Sequence, residues 1–345
     1  MTDRKYVGVI GAGSFGTAIA NLLAYNVEVL IYSRNPEIVE TINTQHQHLG
    51  LELNKRIQAT SNLKFLADNC TLLFPVVPSA NFREMMQDLG PYLRPFHILI
   101  HGTKGFDISF GPYDDPAILL RQNIHSMSAV IRQESVVVRI GCLSGPNLAS
   151  EIVEGQPTAT VIASQFNEVI EKGKQVLSSP HFAVFGSHEI LGAELAGALK
   201  NAIAIGSGIL HGMGLGKNIQ ALLITRGLME MISFGRALGS SPKPFLGTAG
   251  IGDLICTATS TSSRNFTFGR RLGAGESIET IKATMPELAE GVRTIEIANR
   301  LGEQLKLQTP ITSMLYRTLY EGYPIERAIE LLMRYPYHVD VDFLE

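Results

Sequence analysis

The first half of the chain alternates short apolar runs with segments of helical periodicity. Apolar runs of strand length occur at 6–10, 27–32, 72–77, 98–101, 137–142, 158–163 and 182–185. Between the first two runs, residues 17–24 have the length and period of a crossover helix. This alternation predicts a doubly wound parallel α/β sheet of the Rossmann type.

A proline interrupts one of these runs. Pro75 lies inside 72–77, and proline is disfavoured in a central strand because it has no N–H to donate. We expect either a bulge or a strand that ends there, so that Pro78 and Ser79 open onto a site.

The second half of the chain has a different pattern. After residue 187 the strand signals stop, and helices are predicted at 190–210, 218–238, 263–274, 290–301, 311–320 and 325–334. The length of 345 residues also favours two domains over one. We therefore expect a Rossmann-like domain over 1–188 and an all-α C-terminal domain over 189–345.

Composition narrows the classes of function. Apolar residues make up 45% and charged residues 18%, as in an ordinary globular protein with a large core. A net charge of −3 gives no electrostatic basis for binding nucleic acid or an anionic membrane, so any anionic ligand needs a local site. The apolar runs are broken by Gly, Lys or Asn, and the first strand starts too early for a signal peptide. We expect neither a membrane span nor a leader.

The cysteines point to a reducing compartment. Cys70, Cys142 and Cys256 are widely spaced and form no CxxC or metal-binding pattern. They are typical of reduced, mostly buried thiols. We expect a cytoplasmic protein without a metal site.

A glycine-rich motif follows the first predicted strand and opens the first helix. It reads Gly11-Ala12-Gly13-Ser14-Phe15-Gly16. Gly11 permits a tight turn, Gly13 lets the backbone approach a pyrophosphate, and Gly16 lets helix and strand pack closely. The helix N-terminus then presents N–H groups to the phosphates. The motif predicts a dinucleotide site, and the alternative is a glycine-rich turn that binds no ligand.

The end of the second strand bears on cofactor choice. NAD-binding domains usually carry an acid there, whereas this chain has Ser33-Arg34-Asn35. Arg34 can pair with a 2′-phosphate, which favours NADP(H) over NAD(H). Alternatively, Arg34 covers the adenine or lies in solvent.

Lys200 stands in an apolar helical stretch, 195–205, with Asn201 directly after it. A lysine in such surroundings loses hydration and needs an acid partner or a lowered pKa. Lysines of this kind serve as proton donors and acceptors in catalysis. The alternatives are a lysine that snorkels to the surface or one that pairs with Glu194 or another acid.

Two further segments place polar residues among small residues such as glycine and alanine. The first segment comprises residues 247–253 and is followed by Thr257 and residues 263–265. The second comprises residues 103–105, just after a predicted strand. An arginine beside an amide, Arg264 here, suits a phosphate. The alternatives are a helix-capping role for Arg264 and an N-cap role for Asp253.

Together these segments closely resemble the NAD(P)-dependent glycerol-3-phosphate dehydrogenase family. The matching pieces occur in family order and span nearly the whole chain, at 11–16, 77–79, 103–105, 144–147, 199–204, 223–227, 247–253, 263–265 and 290–291. The resemblance implies NAD(P)H-dependent, reversible reduction of dihydroxyacetone phosphate to sn-glycerol 3-phosphate for glycerophospholipid synthesis. It also implies a homodimer.

The resemblance assigns roles to the polar residues. Lys200 matches the general acid/base, and Lys104 matches a second lysine near the substrate carbonyl. Asn201, Asp253 and Thr257 match residues that orient the lysines and the substrate hydroxyls. The matching substrate-binding residues are Lys104, Gly145, Asn147, Lys200, Asp253, Ser263, Arg264 and Asn265, with the phosphate anchored at Arg264 and Asn265. The matching cofactor contacts are Ser14, Phe15, Arg34, Lys104, Ala149, Arg264, Leu288 and Glu290.

The chain departs from the family pattern at a few positions. Asn147 stands where bacterial members usually have Ser or Thr, and Pro75 replaces an apolar residue. His211 replaces an acid before Gly212, and Lys217 occupies a position more often acidic or small.

Two other functions compete with this interpretation. Another two-domain dehydrogenase, acting on 6-phosphogluconate or a 3-hydroxyacyl thioester, would share the cofactor half. A non-catalytic dinucleotide sensor would keep the glycine motif but would have no reason to retain Lys104, Lys200 and Arg264 together.

Overall fold

The computed structural model describes residues 5–111, 114–115, 119–285 and 289–334. The chain divides into two compact units. The first unit comprises residues 1–107 and 126–190, and the second comprises 108–125 and 191–345. The division predicted from the sequence, by contrast, keeps 1–188 together.

The first unit is built on strands with short connecting helices. Its strands are β1 (Tyr6–Ile10), β2 (Glu28–Tyr32), β3 (Gln47–His48), β4 (Leu51–Glu52), β5 (Ile57–Thr60), β6 (Cys70–Pro75), β7 (Ile98–His101), β10 (Arg139–Ser144), β11 (Thr158–Ser164) and β12 (Phe182–Ser187), with β8 (Asp107–Ile108) at its boundary. Its helices are α1 (Ser14–Leu23), α2 (Pro36–Gln45), α3 (Leu63–Asn69), α4 (Phe82–Leu89), α5 (Met127–Glu134), α6 (Ala149–Val153) and α7 (Asn167–Leu177).

Within the described residues, eight strands form one sheet in the order β12-β11-β10-β7-β6-β1-β2-β5. All neighbouring strands pair in parallel except β10 and β11, which are antiparallel. The chain progresses outwards from β1 to β2 and β5, then returns to place β6 on the other side of β1. This reversal creates a switch point beyond the carboxyl ends of β1 and β6, where ligands of such sheets bind. The predicted doubly wound fold is confirmed.

The sheet is held by apolar side chains that alternate between its two faces. Val9 and Phe74 share one face of the sheet, Leu30 and Leu73 share the other, and all four are at most 1% exposed, so the central strands are covered on both sides. Full burial of each such side chain contributes about 1.5–3 kcal/mol. This core fixes the strand ends from which the site loops emerge.

One sheet strand was not predicted. β5 reads Ile57-Gln58-Ala59-Thr60, a short edge strand whose buried positions alternate with more exposed ones. Asn43 of α2 donates to Ala59 O at 3.0 Å and accepts from Ala59 N at 2.7 Å. These two bonds satisfy backbone groups that an edge strand otherwise leaves unpaired.

The strand that contains Pro75 ends at that residue. Pro75 O accepts from Gly102 N at 2.9 Å, so its missing N–H faces the β7 side. The paired register with β7 ends at Leu73, so Pro75 lies at the end of this pairing, where a missing donor is tolerated. A register shift does occur in the β1–β6 pairing, but it lies near Tyr6 and Gly8.

Among the described residues of the second unit, the regular elements are helices apart from β9 (Ile124–His125) and the end of β8. Its helices are α8 (Ile190–Gly212), α9 (Lys217–Ala237), α10 (Lys243–Leu246), α11 (Asp253–Thr259), α12 (Arg264–Gly273), α13 (Ile278–Thr284), α14 (Glu290–Gln304), α15 (Pro310–Tyr320) and α16 (Ile325–Arg334). No helix in the described part of the chain is long and apolar enough to span a bilayer.

Helices α8 and α12 approach each other unusually closely. A Cβ added at Gly208 would lie 2.2 Å from Phe266 O, and one added at Gly269 would lie 2.0 Å from Ile205 O. Gly212 and Gly273 show the same restriction one turn further on. Glycine is therefore required along this contact, which places the start of α12 beside the middle of α8, where Asn265 donates to Asn201.

Residues 108–125 join the second unit although they interrupt the first in the sequence. Arg121 N donates to Gln304 Oε1 at 2.8 Å, and Gln304 Nε2 donates to Leu119 O. Gln304 lies at the end of α14, more than 180 residues from its partners. No local pattern in the sequence announces this long-range attachment.

Candidate active site

The glycine-rich loop has the backbone geometry of a phosphate-binding turn. Gly11 has a φ of 115°, which other residues rarely adopt. A Cβ at Gly16 would lie 1.8 Å from Gly11 O, whereas a Cβ at Gly13 would meet no atom within 4 Å. The loop is therefore closed on its inner side and open at Gly13, where a pyrophosphate would lie.

The start of α1 completes this cradle. Ser14 is the first residue of the helix, and the preceding Gly13 provides no side-chain cap for its N–H groups. A Cβ at Gly102 would lie 2.8 Å from the ring of Phe15, so Phe15 packs directly on the end of β7. His48 Nε2 lies 2.6 Å from Ala12 O. These residues fit a dinucleotide, and the contact of His48 was not predicted.

The turn after β2 is ordered by its neighbours. Asn35 Oδ1 accepts from Glu37 N at 2.8 Å and caps α2, while Asn35 N donates to Ser33 Oγ at 3.2 Å. Arg34 between them is exposed. The structure thus places Arg34 at the carboxyl edge of the sheet, with Ser33 buried beside it.

Lys104 lies in the loop that follows β7. Its Nζ donates to Gly145 O at 2.8 Å, and Thr103 Oγ1 donates to Val77 O at 2.7 Å. Gly145 has a φ of 143°, and a Cβ there would lie 3.2 Å from the Cα of Thr160. The structure therefore brings Lys104 and Gly145 together, as expected for two residues that bind the same ligand.

Asn147 presents a buried acceptor next to this pair. Its Nδ2 donates to Thr160 Oγ1 at 2.9 Å, and Thr160 Oγ1 donates to Ser144 O at 3.1 Å. The Thr160 proton is committed to Ser144, so Asn147 must be the donor and its orientation is fixed. Its Oδ1 is buried and has no hydrogen-bond partner among the described residues. Such an atom is suited to accept a hydrogen bond from a ligand hydroxyl or amide.

The predicted cofactor contact Ala149 is the first residue of α6, two residues after Asn147.

In the second unit, the predicted catalytic lysine is paired with an acid. Lys200 is 5% exposed in α8, and its Nζ lies 2.5 Å from Asp253 Oδ1. It also donates to Thr257 Oγ1, which lies 3.3 Å from the same Asp253 oxygen. Asp253 is thus an acid partner of the kind that a buried lysine needs. A buried ion pair adds little net stability, which favours a functional reason for its presence.

Asp253 is positioned by an irregular turn. Residues Thr248–Gly252 form a π-helical turn that continues into α11, and a Cβ at Gly250 would lie 2.2 Å from Phe245 O. Asp253 is the first residue of α11, and the N-cap position before it is occupied by Gly252. π-Turns often occur at functional sites. The N-cap alternative for Asp253 is therefore disfavoured.

A second polar relay links three helices. Asn265 Nδ2 donates to Asn201 Oδ1 at 2.9 Å, and Gly291 N donates to Asn265 Oδ1 at 2.9 Å. Asn201 and Asn265 therefore connect α8 to the start of α12. Glu290 is the first residue of α14, next to Gly291. The predicted cofactor contact Leu288 lies outside the described residues.

The predicted phosphate anchor lies at the start of α12. Ser263 Oγ accepts from Phe266 N at 3.3 Å and caps the helix, so the capping role belongs to Ser263 rather than to Arg264. Arg264 is exposed and Asn265 is buried at the first turn. A guanidinium at a helix N-terminus is suited to a phosphate.

The structure therefore groups the predicted residues within each unit. The first unit joins the glycine loop, Lys104, Gly145 and Asn147 into one edge of the sheet. The second joins Lys200 to Asp253 and Thr257, and Asn201 to Asn265. The hydrogen bonds of His48, Thr160 and the Gly291 N–H were not predicted, because their partners lie 36, 13 and 26 residues away in the sequence. Among the described residues, no group of three or more His, Cys, Asp or Glu side chains could hold a metal ion.

A doubly wound sheet with an open glycine loop, together with a helical unit that carries a buried lysine–carboxylate pair, defines a two-domain dinucleotide-dependent dehydrogenase. The chain belongs to the NAD-dependent glycerol-3-phosphate dehydrogenase family. Residues 6–170 match the N-terminal part of that family and residues 189–330 match its C-terminal part. The resemblance deduced from the motifs is confirmed.

Individual relatives agree over the whole chain. Glycerol-3-phosphate dehydrogenase [NAD(P)+] of Pseudomonas aeruginosa (strain LESB58) is 37% identical over 100% of this chain and 98% of the relative. The enzyme of the same name from Azotobacter vinelandii is 38% identical with the same coverage. The crystal structure of glycerol-3-phosphate dehydrogenase from Coxiella burnetii superposes with a TM-score of 0.85 at 28% identity, covering 96% of this chain and 99% of that one.

Proposed function

We propose that this enzyme reduces dihydroxyacetone phosphate reversibly to sn-glycerol 3-phosphate, with Lys200 as the general acid/base. The observation that carries the role of Lys200 is its burial against Asp253 and Thr257. The substrate is supported by relatives named glycerol-3-phosphate dehydrogenase [NAD(P)+] that match this chain from end to end.

Lys200 is suited to give a proton to the carbonyl oxygen of the substrate. Hydride addition to a ketone builds negative charge on that oxygen, and an ammonium group stabilises the charge and then donates the proton. The Asp253 carboxylate and the Thr257 hydroxyl hold Nζ in one direction, so little reorganisation is needed when charge develops. In the reverse reaction, Lys200 accepts the proton from the alcohol.

The remaining residues bind and orient the substrate. Lys104 adds positive charge at the substrate carbonyl, while Gly145 and Asn147 form the loop beside it. Arg264 and Asn265 bind the phosphate, with Ser263 maintaining the helix end that carries them. Binding energy at the phosphate then positions the carbonyl for reaction, which contributes to the rate as well as to affinity.

The cofactor is held at the glycine loop by residues 11–16, with contacts at Ala149, Leu288 and Glu290. When bound, NAD(P)H supplies the hydride. Arg34 pairs with a 2′-phosphate, so we propose a preference for NADPH over NADH. We further propose a cytoplasmic homodimer that supplies glycerophospholipid synthesis, as the family resemblance implies.

The test is the loss of nicotinamide absorbance with dihydroxyacetone phosphate, measured in parallel with NADPH and NADH. Turnover with NADPH preferred supports both the reaction and the role of Arg34. Turnover with NADH preferred keeps the reaction and removes the role of Arg34. Cofactor binding without turnover of any substrate would instead indicate a dinucleotide sensor.

The role of Lys200 needs its own variant. Lys200→Ala should lower kcat by at least about a thousandfold while the affinity for NADPH stays within about threefold of normal. Lys64→Ala is the matched control, because Lys64 forms an exposed ion pair with Asp68 on α3. Equal loss of cofactor binding and of rate would point to a structural role for Lys200.

A further inference from the structure

Arg83 of α4 lies at the centre of a polar cluster that the proposed reaction does not use. Its Nε and Nη2 each lie 2.8 Å from Asp107 Oδ2. Nη1 pairs with Glu134, and Nη2 donates to Gln133 Oε1 at 2.6 Å. The Arg83 and Asp107 side chains are only 18% and 7% exposed, so the pair is shielded from solvent.

The cluster holds one end of the loop that carries Lys104. At the other end, Gly102 N donates to Pro75 O at 2.9 Å and Thr103 Oγ1 donates to Val77 O. Lys104 lies between these two anchors, three residues before Asp107. Three residues span at most about 10 Å, so the position of Asp107 restricts the positions that Lys104 can take.

Arg83 also connects the two segments of the first unit that flank residues 108–125, which belong to the second unit. Asp107 is the last residue of the first unit before residues 108–125 leave it, and the chain re-enters at α5. Gln133 and Glu134 form the end of α5. A single guanidinium therefore ties the exit strand to the helix that follows the re-entry.

We propose that Arg83 is a positioning residue that, through Asp107, holds the Lys104 loop in the geometry that directs Nζ to Gly145 O. The relevance of this geometry to catalysis rests on the proposed function of Lys104. Arginine is required because its planar fork contacts three acceptors at fixed angles, whereas a lysine offers one point charge.

Hydrogen exchange of the loop amides tests the restraint independently of any activity. Arg83→Met should accelerate exchange in a peptide covering 102–107 by at least about tenfold, because the anchor at Asp107 is lost. Asp107→Asn should act in the same direction and leaves no lone carboxylate at that position. Arg139→Met is the control, because Arg139 forms its ion pair with Glu168 elsewhere in the same unit. Unchanged exchange in both test variants would overturn the proposal.

A double-mutant cycle tests whether Arg83 acts through Lys104. Arg83→Met and Lys104→Met should each lower kcat/KM for dihydroxyacetone phosphate by at least about tenfold, and Arg83→Lys should rescue only part of the loss. The double variant should stay within about twofold of Lys104→Met alone, because residues that act as one unit are not additive. Fully additive losses would show that Arg83 acts by another route.

The two measurements separate the possible failures. If the wild-type enzyme does not turn over dihydroxyacetone phosphate, the proposed function fails, and hydrogen exchange still decides whether Arg83 restrains the loop. If turnover is normal but exchange and the cycle show no coupling, the proposed function stands and the positioning role is refuted.

Discussion

Glu230 of α9 makes the stability of the second unit depend on pH. Its carboxyl is 4% exposed at the start of α15, where Oε1 accepts from Ile311 N at 2.5 Å. Oε2 accepts from Thr312 N at 3.0 Å and from Thr312 Oγ1 at 2.7 Å. Burial away from water raises the pKa of Glu230 to about 7, although these three hydrogen bonds act in the opposite direction.

The sign and size of the effect follow from proton linkage. A glutamate carboxyl in the unfolded chain has its ordinary pKa of 4.5, so the folded chain binds more protons than the unfolded chain between pH 4.5 and about 7. The protonated carboxyl therefore contributes stability that is fully present below pH 4.5 and is lost as pH rises through about 7. At 1.36 kcal/mol per pKa unit, the contribution is about 3 kcal/mol.

Glu230→Gln removes this titration with almost no change in volume. We expect wild-type protein to lose about 2–3 kcal/mol more unfolding free energy than the variant when pH rises from about 5 to about 8. Urea unfolding followed by far-ultraviolet circular dichroism measures this difference, because the chain has no tryptophan to report by fluorescence.

A control separates burial from charge removal. Glu296→Gln removes a carboxylate that is 36% exposed and paired with Arg300, so its pH profile should follow that of the wild type. If Glu230→Gln also follows the wild type across this pH range, then burial of Glu230 does not set the pH dependence and the reasoning is refuted.

Three further changes test the cofactor site, the lysine cluster and the helix packing. Arg34→Ala should raise KM for NADPH about 10- to 100-fold and that for NADH less than about threefold, as measured by initial rates. Thr257→Val should lower kcat about tenfold without changing NADPH affinity, because a bond to Lys200, the proposed general acid/base, is lost while the ion pair with Asp253 remains. Gly208→Ala should lower the free energy of unfolding by about 1–3 kcal/mol in urea titrations, because the added Cβ would lie 2.2 Å from a backbone oxygen of α12.

Each change has a matched control. For Arg34→Ala the control is Lys64→Ala, which removes an exposed charge and should leave KM for both cofactors unchanged. If Arg34→Ala raises KM for NADPH and for NADH by the same factor, Arg34 does not recognise a 2′-phosphate. For Thr257→Val the control is Thr259→Val, a change on the same helix that should leave kcat unchanged. A normal kcat in Thr257→Val would show that the Thr257 hydroxyl has no role in the mechanism. For Gly208→Ala the control is Gly216→Ala, because a Cβ added at Gly216 has no atom within 4 Å. This control should lower the free energy of unfolding by less than about 0.5 kcal/mol. An equally small decrease for Gly208→Ala would contradict the close packing of α8 and α12.

Much of the architecture could be predicted because it depends on local patterns. The apolar runs identified seven of the eight strands of the main sheet, and the glycine motif located the turn that follows β1. β5 escaped because a four-residue edge strand with polar alternate positions has almost no apolar signal. The attachment of residues 108–125 to the second unit also escaped, because it depends on Gln304, which is distant in the sequence.

The residue types of the candidate site were also accessible from the sequence, but their partners were not. Lys200 stood out because a charge in an apolar helix is unusual, yet any of several acids could have paired with it. The side chain of Asn201 accepts from Asn265, 64 residues further along the chain, and no local pattern indicates that pairing. Asp253 could have been a helix cap, and only the π-turn before α11 shows that it is not.

The sequence by itself determines the features that can be recognised from residues within a few positions of each other. These are the periodicity of strands and helices, the glycine-rich turn, and the lysine within an apolar helix. Contacts between residues that are distant in the sequence cannot be recognised in this way, and only the tertiary structure determines them. Lys200 and Asp253 are 53 residues apart, Lys104 and Gly145 are 41 apart, and Arg83 and Glu134 are 51 apart. Only the packing of α8 against its neighbours and the strand order of the sheet bring these groups within hydrogen-bond distance, because burial forces each charged group to meet the partner that the fold places beside it.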